Sequence, residues 1–254
     1  MDKMNIQKTT EIVAHRGVHN SHPENTIPAF EEAVKEGADA VELDVRLSAD
    51  GVPVIYHYYY LDELTTLSGP VFNFTYKQLK QARFTNPDTS ELDICIPSLA
   101  EALELFAGRI GLEIEIKGPE PKALGVVCNL LCDFRHAWDS VEITSYEPMH
   151  LVEIRENCPG IATDMLVPHS EPWMGSDVLA YQSIHRARMA GARAVHLHPT
   201  QLTRQLADDI RNSGIGIHAW DLNTTDDWEI IHSLGIPKVN TDNLASIMKL
   251  VGRR

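Results

Sequence analysis

Residues 11–17, EIVAHRG, and residues 38–45, ADAVELDV, each run from a short apolar strand pattern directly into charged side chains. In the second stretch Glu42 and Asp44 are two residues apart, so a strand turns both side chains to the same face. An unpaired carboxylate is expensive to bury, and two like charges this close repel each other. The pair therefore predicts a compensating cation, and a divalent metal ion is a common one.

The alternation of short apolar runs and longer amphipathic stretches continues almost to the end of the 254-residue chain. We expect strands near residues 11–15, 39–45, 111–117, 140–144, 161–166, 194–198, 215–219 and 237–240. Helical patterns are expected at residues 26–37, 98–107, 120–136, 147–156, 177–190, 200–212, 224–234 and 243–251, with caps at Asn25–Thr26 and at Thr224. Eight such units predict a (β/α)8, or TIM, barrel that forms one domain over residues 1–254. A doubly wound open sheet is the alternative, but its phosphate-binding glycine fingerprint is missing.

One segment interrupts this rhythm. Asp50-Gly51 is a turn signal, which predicts a hairpin between the second strand and the run VPVIYH that ends at His57. The residues near 60–96 follow no barrel pattern and include Pro70 and Pro87. We interpret them as an insertion above the mouth of the barrel.

The composition excludes several kinds of partner. A net charge of -14 argues against nucleic acid or an anionic membrane surface, and no apolar run is long enough for a transmembrane segment. The polar N-terminus lacks a secretory signal, and the four cysteines show no zinc spacing. We expect a reduced, cytoplasmic protein that acts on a small molecule; the sequence leaves its oligomeric state open.

In such a barrel the chemistry lies at the C-terminal ends of the strands. The sequence places there seven polar or aromatic side chains: His15, Asp44, Lys117, Ser145, His198, Trp220 and Asp242.

Three carboxylates at this end form a candidate metal site. Glu42, Asp44 and Glu115 offer hard oxygen ligands, which suit Mg²⁺ or Ca²⁺, with Mn²⁺ as a third candidate. The alternative is that these acids pair with cations, for which Arg16, Arg46 and Lys117 are available. Glu113 is either a weaker ligand or the buried partner of a cation.

Two histidines could act as general acid and general base, namely His15 and His57. Arg16 offers a planar fork of donors to a phosphate and Lys117 a point charge, while Trp220 could form one wall of the pocket. We expect Asp242 to cap the last helix, and His196 and His198 could face the lumen together. The position of seven further histidines argues against a catalytic role: His19, His22, His136, His150, His169, His185 and His232.

The chain resembles the glycerophosphodiester phosphodiesterase family from about residue 11 to residue 246. The similarity rests on AHRGVHNSHPENTIPAFEEAVKEGADAVELDVRLSADGVPVIYH at residues 14–57, and then on IPSLAEALELF, LEIEIK, TSYEP, AWDLN and NTD. It implies a barrel with a small insertion after the second strand. It also implies metal-dependent hydrolysis of a glycerophosphodiester to sn-glycerol 3-phosphate and an alcohol.

The resemblance also implies roles for individual residues. His15 and His57 match the acid and base, while Glu42, Asp44 and Glu115 match the ligands of one divalent cation. Arg16 and Lys117 match the phosphate-binding positions, and Trp220 matches the aromatic residue beside the glycerol. Glu24 and Asn25 match the PENT turn, which we expect to shape the first loop.

The sequence departs from the family pattern at Tyr58, where an aspartate usually follows the hairpin histidine, and at Leu244, where the closing motif usually has proline. Two other functions therefore stay open. One is the cleavage of lysophospholipids, for which the insertion would supply an apolar slot from Leu61, Leu64, Val71, Phe72 and Phe74. The other is a barrel that binds glycerophosphate without catalysis.

Overall fold

The computed structural model describes residues 10–85, 94–118, 120 and 122–253. Within them eight parallel strands form one closed sheet, because the first strand pairs with both the second and the last. The predicted (β/α)8 barrel is therefore confirmed. Its strands are β1 (Glu11–Ala14), β2 (Ala40–Leu47), β4 (Gly111–Ile116), β5 (Val141–Ser145), β6 (Ala162–Leu166), β7 (Ala194–Leu197), β8 (Gly216–Ala219) and β9 (Lys238–Thr241), and β3 (Pro53–Ile55) is the antiparallel hairpin partner of β2.

Helices follow or precede these strands close to the predicted positions. They are α1 (Ile27–Lys35), α2 (Tyr76–Leu79), α3 (Leu99–Phe106), α4 (Ala123–Asp133), α5 (Pro148–Asn157), α6 (Ser176–Ala190), α7 (Arg204–Asn212), α8 (Thr225–Leu234) and α9 (Leu244–Leu250). None of the helices in the described ranges is long and apolar enough to cross a membrane.

The predicted cap at Thr224 is confirmed, since its hydroxyl accepts a hydrogen bond from the backbone N–H of Asp227 at 3.1 Å. The predicted cap of α1 is wrong. Thr26 occupies the N-cap position without a side-chain cap, because its hydroxyl donates to the carbonyl oxygen of Pro23 at 2.6 Å. Asn25 is instead bonded to Asp44, which fixes the first loop against β2.

The two faces of the barrel strands differ in chemistry. Along β2, Val41, Leu43 and Val45 belong to the hydrophobic core that the helices cover. Glu42 and Asp44 alternate with them, so their side chains point into the barrel. The interior of this barrel is therefore polar, and the apolar core lies between the sheet and the helices.

The insertion has a small core of its own. Turns of 3-10 helix at Leu61–Glu63 and Val71–Asn73 pack with α2 around Leu61, Val71 and Leu79. Pro87, which belongs to the predicted insertion, lies outside the described residues.

Candidate active site

A cavity of about 230 Å³ opens at the C-terminal ends of the barrel strands. Seven of the eight side chains that the sequence selected line it: His15, Arg16, Glu42, His57, Glu115, Lys117 and Trp220. The eighth, Asp44, is fully buried behind them. The structure thus brings the whole predicted set to one place, although the role of each residue is not settled by position alone.

The three predicted metal ligands converge. Glu42, Asp44 and Glu115 each offer one oxygen atom, and these atoms lie within 4.8 Å of one another. Burial, reinforced by the neighbouring Asp44, raises the pKa of Glu42 well above its usual value. Burial also raises the pKa of Glu115 to about 7, although the nearby Lys117 opposes this shift. The cluster therefore carries more negative charge than its surroundings readily compensate.

Two cations compensate part of this charge. Asp44 lies 3.3 Å from Arg16 Nε and 3.3 Å from Lys117 Nζ, and these charges outweigh burial and lower the pKa of Asp44. Lys117 Nζ is also 2.8 Å from Glu115 Oε1. The predicted alternative, pairing with cations, thus holds for two of the acids. Arg46 forms its ion pair with Glu120, at 3.7 Å.

The donor set fits a hard divalent cation. Among the described residues Glu42 forms no ion pair with a lysine or an arginine, and Asp44 Oδ1 is a buried oxygen without a hydrogen-bond partner. All three ligands are carboxylate oxygens, which Mg²⁺, Ca²⁺ and Mn²⁺ prefer over softer donors. Such an ion would stabilise Glu42, and it would also bind Asp44 Oδ1, which has Lys117 Nζ 3.3 Å away.

The first loop holds the carboxylates in place. Asn25 donates to Asp44 Oδ2 at 2.7 Å, and its own Oδ1 accepts from the backbone N–H of Asp44 at 3.1 Å. The backbone N–H of Arg16 donates to Glu42 Oε2 at 3.0 Å. Gly17 makes this turn possible, because its φ is +79° and a Cβ there would lie 2.7 Å from the backbone of Ala29.

His15 is oriented by an acid that sequence analysis assigned to another role. Its Nδ1 lies 2.7 Å from Asp242 Oδ1, and its Nε2 lies 3.8 Å from Glu42 Oε2. The expectation that Asp242 caps the last helix is wrong, because Asn243 holds the N-cap position of α9. Closure of the barrel explains the contact, since β1 pairs with β9 and Ala14 stands beside Thr241.

His19 also belongs to this arrangement, although its position had argued against a role. Its Nε2 lies 2.9 Å from the same Asp242 oxygen, and Asn223 donates to the other oxygen at 2.9 Å. Burial favours neutral Asp242, but the hydrogen bonds from His15 and His19 prevail and lower its pKa. Asp242 is therefore a carboxylate anion beside His15.

His57 is half-buried in the wall of the cavity, and its backbone is held in place. Its carbonyl oxygen accepts hydrogen bonds from Arg46 Nε at 3.1 Å and Nη2 at 2.9 Å, which fixes the backbone. Burial lowers the pKa of His57 to about 3, so the imidazole is neutral at pH 7. Tyr58, at the position where the family has aspartate, places its ring edge-on to the imidazole with 4.7 Å between centroids.

The remaining residues that were predicted at the rim of the barrel do not all line the cavity. Trp220 lines the cavity and packs against His198, with ring centroids 5.0 Å apart. Ser145 is buried and bonded to the carbonyl of Ile116 at 3.3 Å. The next residue, Tyr146, lines the cavity instead, and sequence analysis missed it although the TSYEP motif contains it.

Two further lumen residues have partners outside the predicted metal-ligand set. His196 and His198 do not face the lumen together, because His196 lies in a separate cluster with Glu142, Asp164 and His218. Glu113 is the partner of a buried cation, since Lys238 Nζ lies 2.6 Å from its Oε2. The second of its two predicted roles is therefore confirmed.

The closed barrel, with two imidazoles, two cations and three carboxylates at its C-terminal mouth, defines a barrel enzyme of the phosphoric diester hydrolase class. The model of the glycerophosphoryl diester phosphodiesterase family matches residues 15–246. The chain belongs to this family.

Individual relatives agree with this assignment. The Bacillus subtilis protein YhdW is 31% identical over 245 residues, which cover 94% of this chain and 96% of that protein. The glycerophosphodiester phosphodiesterase of Caldanaerobacter subterraneus is 28% identical over 251 residues, covering 95% of this chain and 98% of that protein. Among solved structures, an Oleispira antarctica phosphodiesterase in complex with its product sn-glycerol-3-phosphate superposes with a TM-score of 0.83 at 25% identity, covering 96% of this chain and 98% of that chain.

Proposed function

We propose that this protein hydrolyses glycerophosphodiesters to sn-glycerol 3-phosphate and an alcohol. The observation that carries the proposal is the single cavity of about 230 Å³ in which His15 and His57 flank the acidic cluster and the cations Arg16 and Lys117. The family and the product complex of the Oleispira antarctica relative support it.

Glu42, Asp44 and Glu115 would hold one divalent cation. When bound, such an ion offsets the charge of the three acids and polarises a phosphoryl oxygen. Arg16 presents its guanidinium to the same cavity and Lys117 adds its ammonium group, so both can stabilise charge on the equatorial phosphoryl oxygens. Trp220 offers a flat apolar wall for the carbon atoms of the glycerol.

The two histidines have distinct environments, which assign their roles. His57 is neutral because it is buried, so it can accept the proton of the attacking hydroxyl group, whether that group belongs to the glycerol or to water. The hydrogen bond between His15 Nδ1 and Asp242 Oδ1 orients the imidazole and leaves its Nε2 on the side of Glu42. We therefore assign His57 as the general base and His15 as the general acid, which donates the proton on Nε2 to the leaving alcohol oxygen.

The cleavage of lysophospholipids is less well supported. Leu61 and Val71 are fully buried in the core of the insertion, and Phe74 packs against that core. Leu64 reaches a neighbouring cavity of about 270 Å³, but His19, His22 and Glu24 also line this cavity. Pro23 and Phe84 complete this lining, so it is mixed and offers no continuous apolar slot for an acyl chain.

Tyr58 does not favour a barrel without catalysis. His57 lines the cavity although Tyr58 packs against its ring. The cytoplasmic location and the absence of a nucleic-acid partner stay predictions, and the net charge of -14 supports the second of them.

The test is the release of glycerol 3-phosphate from glycerophosphocholine, with lysophosphatidylcholine as the competing substrate. We expect product from glycerophosphocholine, loss of activity in EDTA, and recovery after Mg²⁺, Mn²⁺ or Ca²⁺ is added. His57→Ala should reduce kcat by on the order of 100-fold or more, and the exposed His185→Ala serves as the control. Equal product formation in EDTA would exclude the metal assignment, and wild-type kcat in His57→Ala would exclude the base.

A further inference from the structure

A second cluster of possible metal ligands occupies the floor of the barrel, at the end opposite the catalytic cavity. Neighbouring strands β7 and β8 pair His196 with His218 in register, and Glu142 and Asp164 come from β5 and β6. Each of the four residues offers one ligand atom, and these atoms lie within 4.8 Å of one another. The catalytic proposal uses none of them.

The distances within this cluster resemble the edges of a tetrahedron. His196 Nε2 lies 3.0 Å from His218 Nδ1, 3.3 Å from Asp164 Oδ2 and 3.4 Å from Glu142 Oε1. His218 Nδ1 lies 3.0 Å from Asp164 Oδ2. Ligand atoms about 2.0 to 2.2 Å from a four-coordinate zinc ion are roughly 3.3 to 3.6 Å apart. The four measured distances are within a few tenths of an ångström of these values, and the two distances from Glu142 to Asp164 and His218 lie within 4.8 Å.

Three of the four ligand atoms lie very close together. His196 Nε2, His218 Nδ1 and Asp164 Oδ2 form a triangle with sides of 3.0 to 3.3 Å. If both nitrogens donate to the Asp164 oxygen, their two hydrogens crowd each other; if one does not, its lone pair faces an anion. A single cation at the centre of the four atoms would instead be attracted to all of them.

The surroundings match those of a bound metal ion. The other nitrogen of His196, Nδ1, is buried without a hydrogen-bond partner and lies 3.6 Å from Glu113 Oε1, the place of the carboxylate that commonly supports a metal-binding imidazole. Arg193 Nη2 donates to Asp164 Oδ2 at 3.0 Å, and Lys238 Nζ lies 2.8 Å from Glu142 Oε1. Glu113, Glu142 and Asp164 outnumber the cations Arg193 and Lys238 by one negative charge, and these carboxylates outweigh burial and raise the pKa of His196 to about 10. A metal ion would take the place of the proton that His196 gains there.

An ion could reach this cluster from outside. A cavity of about 230 Å³ on the floor of the barrel is lined by Glu142 and His218, among others. The side chain of His218 keeps 11% of its surface exposed, whereas His196 and Asp164 are fully enclosed. His218 is therefore the ligand that an incoming ion would meet first.

We propose that Glu142, Asp164, His196 and His218 bind one Zn²⁺ ion. The mixed nitrogen and oxygen donors favour zinc over Mg²⁺ or Ca²⁺. All four positions are supplied by the protein, so the ion would have no open site for substrate and would act structurally. It would join β5, β6, β7 and β8 at the floor of the barrel.

The experiment uses the full chain carrying Glu42→Gln and Glu115→Gln, which removes two ligands of the catalytic cluster. After dialysis against EDTA and then buffer, this variant is titrated with Zn²⁺, and the bound metal is measured by mass spectrometry. We expect one equivalent, an upward shift of Tm by roughly 5–10 °C at 100 times the Kd, and visible absorption typical of four-coordinate sites when Co²⁺ replaces Zn²⁺. Adding His196→Gln and His218→Gln should abolish all three signals, while adding the exposed His185→Gln should leave them unchanged.

Either of two results would overturn the proposal: no zinc bound to the first variant, or one equivalent still bound after both floor histidines are replaced. Should the floor variant fail to fold, X-ray absorption on the first variant decides, because two imidazoles in the zinc shell support the site and their absence refutes it. None of these measurements depends on catalysis, so their outcome is separate from that of the proposed function.

Discussion

Replacement of Asp242 by asparagine tests whether this carboxylate orients and charges the proposed general acid. Asp242 Oδ1 lies 2.7 Å from His15 Nδ1, and an amide oxygen can still accept that hydrogen bond. The variant thus keeps the shape of the contact and removes its charge. A hydrogen bond to a charged group contributes about 1.5–3 kcal/mol, and because 31% of the Asp242 side chain is exposed, we take the lower half of this range. We expect kcat to fall about 10- to 50-fold.

The assay is the measurement of kcat with glycerophosphocholine. His19→Gln removes only the second partner of Asp242 and should change kcat less than about 3-fold, and Asp226→Asn on the exposed start of α8 is the charge-matched control. A D242N enzyme with wild-type kcat would refute the role of Asp242.

Three further changes test the carboxylates, the first loop and the hairpin histidine. Glu42→Gln should weaken binding of the catalytic cation at least about 10-fold, measured as the Mg²⁺ or Mn²⁺ concentration that restores half of the activity; an unchanged requirement contradicts the ligand set. Gly17→Ala should reduce the free energy of unfolding by about 2–4 kcal/mol. The control is Gly51→Ala, which has a φ of +80° but no atom within 4 Å of its Cβ and should cost only about 1 kcal/mol. Equal losses in urea unfolding would mean that Ala29 does not restrict position 17. The pKa of His57 is about 3 in the folded protein against 6.5 in the unfolded chain, so the free energy of unfolding falls as the pH drops from 6.5 towards 3. Between pH 7 and pH 4.5, His57→Asn should lose roughly 1–2 kcal/mol less of this free energy than the wild-type protein. The same loss in both proteins would show that His57 is not buried as a neutral group.

Most of the architecture was predictable because apolar residues recur in the sequence with the spacing of strands and helices. Every barrel strand was predicted within two residues of its position in the structure, since short apolar runs mark the strands. The convergence of Glu42, Asp44 and Glu115 was predictable for the same reason, because parallel strands of a barrel end at one rim.

Contacts that depend on closure of the sheet could not be read from local patterns. His15 and Asp242 are 227 residues apart in sequence, and only the pairing of β1 with β9 brings them together. A histidine after the first strand and an aspartate after the last were the available signal. Asn25 was similarly hidden, because its amide was expected to act within its own helix and instead binds Asp44 on β2.

The floor cluster was missed for another reason. Glu142, Asp164, His196 and His218 lie on four different strands, and each taken alone suggests a buried polar residue with a local partner. Their proximity follows from the inward alternation of four adjacent strands, which becomes specific only when the order and stagger of the strands are known.

Glu113 lines both cavities of the barrel, the catalytic one and the one on the floor. It stands between Glu42 and Glu142 in the strand register, so a single carboxylate separates the two ends of the lumen. Two charges one strand spacing apart interact more strongly inside a protein than in water. A change of charge at either end of the lumen therefore alters the electrostatic potential at the other end. The charges at the two ends of the lumen therefore influence each other. An ion or a proton bound at the floor of the barrel changes the pKa of Glu42 at the mouth without any movement of the backbone.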